Sequence, residues 1–251
     1  MKKILKKWQN VLYPLLSLGI IVGLWALLAK IVNIELIIPS LQSTFRQLGR
    51  ILSAKDFYIA LGSTLWRSLA SFAIGAFSAL GLSLLSLLKP VKKILSPFIK
   101  IIRSVPTMSV ILLAVIWLKP TVSPIFVAFL INFPIMYSGF LSAMESIDGE
   151  LISMSKIYNV SLKDRVLSLY LPSVAPAAFD CMQSSISLTV KIIISAEVLA
   201  QTRNSLGIMM QISRVYLETA ELVAYTITAI VLSYLLELVV FGIKKAVVRW
   251  K

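Results

Sequence analysis

The chain has 251 residues, 58% of them hydrophobic and only 14% charged, with a mean hydropathy of +0.89. Twenty-five Lys and Arg against 11 Asp and Glu give a formal net charge of +14. A soluble domain of this length needs far more polar surface, so the composition excludes one and points to a bilayer.

The residue inventory removes several functions. There is no histidine, and Cys181 is the only cysteine. Ser-His-Asp and Cys-His catalysis are excluded, as is an intrachain disulfide. A zinc site needs three or four His, Cys or carboxylate ligands, so no metal is expected. No cofactor and no catalytic residue is expected either, and the chain does not read as an enzyme. The basic residues sit in short segments between apolar runs, not on one soluble face. Membrane lipid is therefore the expected partner of the charge, and nucleic acid is not.

In chain order, residues 1–10 form a basic segment with four lysines, followed by an uncharged run over residues 11–29. That run is longer than a signal-peptide core and no small-x-small site follows it, which predicts a retained first span. Within the connection 31–67, Pro39-Ser40 precedes an apolar-rich stretch at 41–52, read as a short interfacial helix. Further spans are expected at 68–88, at 101–118 with Arg103 near its start, and at 121–144. A fifth, 180–199, contains Lys191 and Glu197, and a sixth, 222–243, contains Glu237. Pro106 and Pro134 are expected to kink their helices. Residues 244–251 form a second basic segment. If the N-terminus is cytoplasmic, 15 of the 25 Lys and Arg fall in inside segments, seven outside, and Arg67, Arg103 and Lys191 within or at the edges of spans. That bias places both termini inside, with an even number of spans.

Ionisable groups within spans are costly and face protein or water. Lys191 and Glu197 are six residues apart, about 240° around a helix, so they do not pair with each other. Lys191 reads either as a path-lining cation that favours an anionic solute or as a lysine packed between subunits or snorkelling. Glu197 suits packing or a salt bridge better than solute contact. Arg67, at the edge of the expected second span, needs only to snorkel.

The loop at about 145–176 carries more pattern than a connection requires. Ile147, Leu151, Met154 and Tyr158 follow helical spacing, Asp148 can cap the start, and Asn159 suits the left-handed residue that closes a helix. Ser161-Leu162-Lys163-Asp164 is a Ser-x-x-Asp variant of the capping box and starts a second short helix, which Leu171-Pro172 is expected to end. This predicts a helix, a tight turn and a helix on the cytoplasmic face. Such a pair either lies on the lipid surface or docks a soluble partner by seating a helix in a groove.

This loop resembles that of import-type ABC transporter permeases, whose pattern is Glu-Ala-Ala, three residues, Gly, then Leu-Pro. Ser153-Met154-Ser155 stands at the Glu-Ala-Ala positions, Asn159 at the Gly, and Leu171-Pro172 at the Leu-Pro. The Glu is lost, and with it a charge that the family presents near its ATPase. Further segments resemble the nitrate/sulfonate/taurine branch of that family: Ile38-Pro39-Ser40; Thr64–Leu69 with Gly75; Arg103-Ser104-Val105-Pro106 with Ile116-Trp117-Leu118; Phe133-Pro134-Ile135; and Ala196-Glu197-Val198-Leu199 with Ser205-Leu206-Gly207.

The resemblance covers about residues 11–243. It implies a single permease domain in the bacterial cytoplasmic membrane, working as a homodimer or paired subunit. Two ATP-binding cassette subunits would dock on Ser153, Met154, Ser155, Asn159, Val160, Ser161, Leu171 and Pro172, and an extracytoplasmic solute-binding protein would deliver the solute. Sulfonate, nitrate, taurine or a vitamin precursor is the implied class of solute. The chain has no Gly-x-x-x-x-Gly-Lys-Ser/Thr phosphate loop of its own, in keeping with ATP hydrolysis on partners. Lys191, Glu197 and Arg103 are the candidates for the translocation path. The competing readings are a secondary transporter or channel, for which no inverted repeat is seen, and a membrane-embedded enzyme, for which no cluster of catalytic polar residues is seen.

Overall fold

A computed structural model describes residues 2–248; the side chains of residues 2–11 and of Pro14 are outside that description. The basic side chains of Lys2, Lys3, Lys6 and Lys7, and residues Arg249 and Lys251, therefore lie outside the described residues. Every regular element among the described residues is helical. In order these are α1 (Lys2–Val32), α2 (Leu41–Ser53), α3 (Lys55–Leu85), α4 (Lys89–Ser104), α5 (Thr107–Trp117), α6 (Ser123–Glu145), α7 (Gly149–Ile157), α8 (Leu162–Arg165), α9 (Leu171–Ala200), α10 (Leu206–Val215) and α11 (Thr219–Val247). A π turn, Val166–Tyr170, joins α8 to α9. Five helical rods are long and apolar enough to cross a membrane, and the bent pair α4–α5 makes a sixth crossing if taken as one span. This is the all-α polytopic architecture the sequence implies.

The surface has the reverse of a soluble protein's pattern. Ile20, Ile21, Phe77 and Ile230 are each more than half exposed. Side chains of that kind in such numbers belong in acyl chains. Helix α1 buries none of its Leu15–Val32 stretch; Trp25 Nε1 tethers it by donating to the Pro39 carbonyl at 3.1 Å. Ser40 caps α2 by accepting from Ser43 N at 3.1 Å, so the helix expected from residue 41 starts where the sequence writes its cap.

Helix α9 is the centre of the bundle, because its sides enter all three hydrophobic clusters. Ile186, Val190 and Ile194 pack with α3, α10 and α11. Val174 and Ala178 pack with α3 and α6. Ile192, Ile193 and Ala196 pack with α5 and α6. Helices α6 and α9 approach closely where Gly139 faces Cys181: a Cβ on Gly139 would lie 2.6 Å from Cys181 Sγ. Lower down the same seam, Asn132 Nδ2 donates to Thr189 Oγ1 at 2.7 Å. Cys181 is thus a packing residue in this seam.

The structure corrects the expected spans in four places. The third span is not one helix from residue 101 to 118. The chain bends by 94° between α4 and α5, because Pro106 disfavours helical backbone at Val105, which is extended at ψ 128°. Arg103 therefore lies in the last turn of α4, before the bend, and not near the start of a straight span. At 11 residues, α5 rises about 16 Å, roughly half the hydrocarbon thickness. Second, α3 begins at Lys55 rather than at residue 68, so Arg67 lies well inside it and is 8% exposed; it does not snorkel. Third, Leu171-Pro172 ends no helix. The π turn shifts the Leu171 N–H to the Val166 carbonyl, and this wider turn accommodates the ring and missing donor of Pro172. Fourth, α10 was not expected at all.

Arg67 and Glu197 meet inside the bundle. Glu197, fully buried, accepts from Arg67 Nη1 at 2.8 Å, and Thr64 Oγ1 lies 3.1 and 2.9 Å from its two oxygens. Gly207 N donates to Glu197 Oε2 at 3.2 Å, and Leu206 N donates to Thr64 Oγ1 at 3.0 Å. Gly207 is required here, since a Cβ would sit 2.4 Å from Glu197 Cβ. The node ties α3, α9 and α10 together. Removing one partner of a buried pair strands the other charge, at a cost of about 3–5 kcal/mol. Arg67→Met should accordingly lower the thermal midpoint in detergent sharply, and adding Glu197→Gln should recover part of the loss. Equal midpoints for wild type and Arg67→Met would show that the pair contributes nothing.

Candidate functional site

The segment from α7 to α8 is built from its own caps. Asp148 Oδ1 accepts from Glu150 N at 2.9 Å and opens α7. At the other end Asn159 is left-handed, with φ 52°. Val160 N then donates to the Ser155 carbonyl and Asn159 N to the Lys156 carbonyl, each at 3.0 Å. This paired closure lets the chain reverse without orphaned carbonyls. Ser161 accepts from Asp164 N at 3.1 Å and donates to Asp164 Oδ2 at 2.7 Å. Arg165 Nη2 donates to the Val160 carbonyl at 3.2 Å, bracing the turn from the far side.

The capped pair presents an uncovered apolar face. No residue of α7 or α8 is buried, and Met154, Ile157, Tyr158 and Leu162 are between 51% and 77% exposed. Ser153 and Ser155 turn their hydroxyls onto their own helix, toward the Gly149 and Ile152 carbonyls. Leu171 and Pro172 stand apart from this face. They line an apolar groove of about 460 Å³ with Phe72, Phe77 and Phe140.

The three candidates for the path are in three different settings. Glu197 is enclosed in the node with Arg67 and lines no open groove. Lys191 is exposed on another side of α9, with Ser187 and Ser195 one turn away on either side. It lines a groove of about 510 Å³ between α9 and α11, which Tyr234 and Glu237 also line. Neither Lys191 nor Glu237 forms a salt bridge among the described residues. Arg103 borders a smaller groove, about 220 Å³, between α4 and α6; its Nη1 lies 3.4 Å from Ser138 Oγ. Sequence reasoning missed Arg67, Thr64 and Gly207 as the partners of Glu197. The available signal was an arginine and a glutamate in separate apolar runs, each too costly there without a counter-charge.

Comparison with known proteins bears on the same elements. Residues 71–251 match the family model described as the inner membrane component of binding-protein-dependent transport systems. The fold is similar to an amino acid ABC transporter solved with histidines, at 14% identity and TM-score 0.63, over 80% of this chain and 97% of that one. It is similar to the MetNI methionine ABC transporter in inward-facing form, at 17% identity and TM-score 0.59, over 78% and 98%. It is also similar to a bacterial ABC transporter involved in import of the acidic polysaccharide alginate, at 15% identity and TM-score 0.66, over 98% and 99%. Comparison with curated proteins gives no match.

The Ser161 cap is directly testable. Losing an N-cap costs about 1 kcal/mol, so Ser161→Ala should raise amide exchange across 162–165 roughly fivefold, and exchange within α9 should stay as it is. Unchanged exchange at 162–165 would mean that the cap does not hold the turn.

Proposed function

The chain belongs to the family of inner membrane components of binding-protein-dependent transport systems, and from that premise we propose that it is the permease subunit of an ABC importer that moves a small solute inward. In this reading residues 11–243 form one permease unit in the bacterial cytoplasmic membrane, paired with a second copy or with a related permease. Two ATP-binding cassette subunits hydrolyse ATP on its cytoplasmic side, and a solute-binding protein delivers solute from the other. The single observation that carries this reading is the α7–α8 pair: each helix opens on a side-chain cap, the turn between them is closed by a left-handed Asn159, and no described residue covers its apolar face. A helix held so rigidly can transmit a push from a partner that seats it in a groove. The likeness in fold to ABC transporters supports the same assignment.

Charge supports the orientation. The Lys92–Glu145 and Lys244–Asp180 pairs bring the start of α4, the end of α6, the first turns of α9 and the end of α11 to one end of the bundle. Lys89, Lys93 and Lys245 lie close in sequence to those pairs. Such a concentration of Lys supports a cytoplasmic face at that end, and on this reading both termini lie on that side.

The solute is proposed to be a small anion or a molecule with an anionic group, such as a sulfonate, nitrate or taurine, in keeping with the nitrate/sulfonate/taurine branch; a vitamin precursor is the alternative. Lys191 supports the anionic reading. It forms no salt bridge among the described residues, though Glu237 lines the same groove, and it is set between two serines on an open side of the central helix, where a lipid-facing lysine would be costly. Glu197 serves the architecture and is not proposed to touch solute.

Two measurements test these roles. Asn159→Val forces a β-branched residue into a left-handed turn. It should leave membrane insertion and ATP hydrolysis by the co-purified ATPase intact while abolishing most transport, and Asn159→Gly should transport normally. Full transport by Asn159→Val vesicles would remove the docking role, and failure of any ATPase to co-purify would favour a secondary transporter. Once the cognate binding protein has identified the solute, Lys191→Gln should reduce its uptake at least tenfold and Lys191→Arg should retain most of it. Equal uptake by both variants would take Lys191 off the path.

A further inference from the structure

Helix α4 has three sides, and each side meets a different environment. Its sequence carries five cations, Lys89, Lys92, Lys93, Lys100 and Arg103, and no acidic residue. At about 100° per residue, Lys89, Lys93, Ser96, Lys100 and Arg103 fall within an arc of roughly 80°. Ile94, Phe98 and Ile101 lie opposite and are 63%, 59% and 61% exposed. Between these two sides, Leu95 and Ile99 pack into the α3–α6 cluster. The helix therefore has one side in the protein, one bare apolar side and one basic side, open at Lys89 and Lys93 and bordering the groove to α6 at Ser96, Lys100 and Arg103.

The 94° bend at Val105-Pro106 sets this helix across the direction of α5. Standing upright it would carry four or five cations into hydrocarbon, each at considerable cost. Lying in the plane of the membrane, it sinks Ile94, Phe98 and Ile101 into the acyl region and keeps the lysines at headgroup level. The cations are not equally available. Lys92 is paired with Glu145, and Arg103 reaches Ser138. Lys89, Lys93 and Lys100 form no salt bridge among the described residues. The first turn of α4 also has no side-chain cap, so its free N–H groups add positive potential beside Lys89 and Lys93.

An apolar layer directly beside a negative one is what the outer few ångströms of an anionic bilayer offer. An acidic soluble protein would match the lysines and leave Ile94, Phe98 and Ile101 bare. A zwitterionic bilayer would cover those three and leave the lysines unmatched. We propose that α4 is an anionic-phospholipid site, in which Lys89, Lys93 and Lys100 hold headgroup phosphates while Ile94, Phe98 and Ile101 enter the acyl chains. Each lysine near an anionic surface contributes about fivefold in affinity, so the three together contribute about a hundredfold.

The test uses the full chain, delipidated in detergent and titrated with phosphatidylglycerol or phosphatidylcholine, with bound lipids counted by native mass spectrometry. Wild type should retain phosphatidylglycerol in preference to phosphatidylcholine. The triple variant Lys89→Gln/Lys93→Gln/Lys100→Gln should lose between ten- and a hundredfold in phosphatidylglycerol affinity. A control of equal charge, Lys156→Gln/Lys163→Gln/Lys245→Gln, should lose less than twofold. Amide exchange across 94–103 should be slower in nanodiscs containing phosphatidylglycerol than in phosphatidylcholine alone, a readout that does not depend on any variant folding. Equal losses in the two triple variants would reduce the effect to diffuse net charge and overturn the site. Equal exchange in the two lipids would overturn it as well. Displacement of the lipid by millimolar inorganic phosphate would assign the lysines to a soluble anion instead.

Discussion

The buried pairing of Glu197 with Arg67 is the constraint on which the rest of the bundle depends. Two charges that neither water nor lipid can stabilise face each other at 2.8 Å, with Thr64 and the Gly207 amide completing the carboxylate's shell. The geometry leaves little freedom, because α10 must approach so closely that only glycine fits at residue 207. Once this node is set, the rotation of α9 about its own axis is fixed. Lys191, about 240° away around the helix, is then turned to the open groove with Ser187 and Ser195. One ion pair thus decides which side of the central helix is structural and which is free to meet a solute.

The two ends of the chain's polar chemistry are organised differently. Inside the bundle, several enclosed polar groups meet across helices: Asn132 Nδ2 with Thr189, Ser86 with Tyr137, Arg67 with Glu197. At the end where α6 stops and α9 begins, they are exposed and apolar groups are exposed beside them. Helix α4 leaves Phe98 bare next to its lysines, and α7 leaves Met154 and Tyr158 bare next to its serines. The first arrangement resists change. The second invites contact with something outside the chain, lipid in one case and, on the reading proposed here, an ATPase in the other.

Much of this was legible in the sequence where the signal is local. Ser40, Asp148, Asn159, Ser161 and Asp164 all stand at the cap or turn positions their chemistry favours, because capping depends on residues three or four apart. Apolar length located the spans for the same reason. What the sequence did not reveal depended on distance. The Arg67–Glu197 pair spans 130 residues, so Arg67 looked like the edge of a span and α3 seemed to start late. Hydropathy averaged α4 and α5 into one segment, although Val105-Pro106 carried the break. Helix α10 is short and only partly apolar; Ser205 caps it, but its place in the bundle is set by Thr64 and Glu197. The Leu171-Pro172 pair misled because a proline usually stops a helix, and the preceding π turn removes the clash.

The same ion pair has a consequence in time. A membrane protein enters the bilayer as it is made, at about 5–20 residues per second. Arg67 is synthesised 130 residues before Glu197, so roughly ten seconds pass in which the guanidinium of α3 has no counter-charge of its own. During that interval α3 cannot sit in hydrocarbon as it finally does. It must wait in the insertion machinery, ride high toward the headgroups, or borrow another anion until α9 arrives. The buried pair at the centre of the finished protein is therefore among the last contacts it forms, and the order of the helices along the chain sets how long its first half stays unfinished.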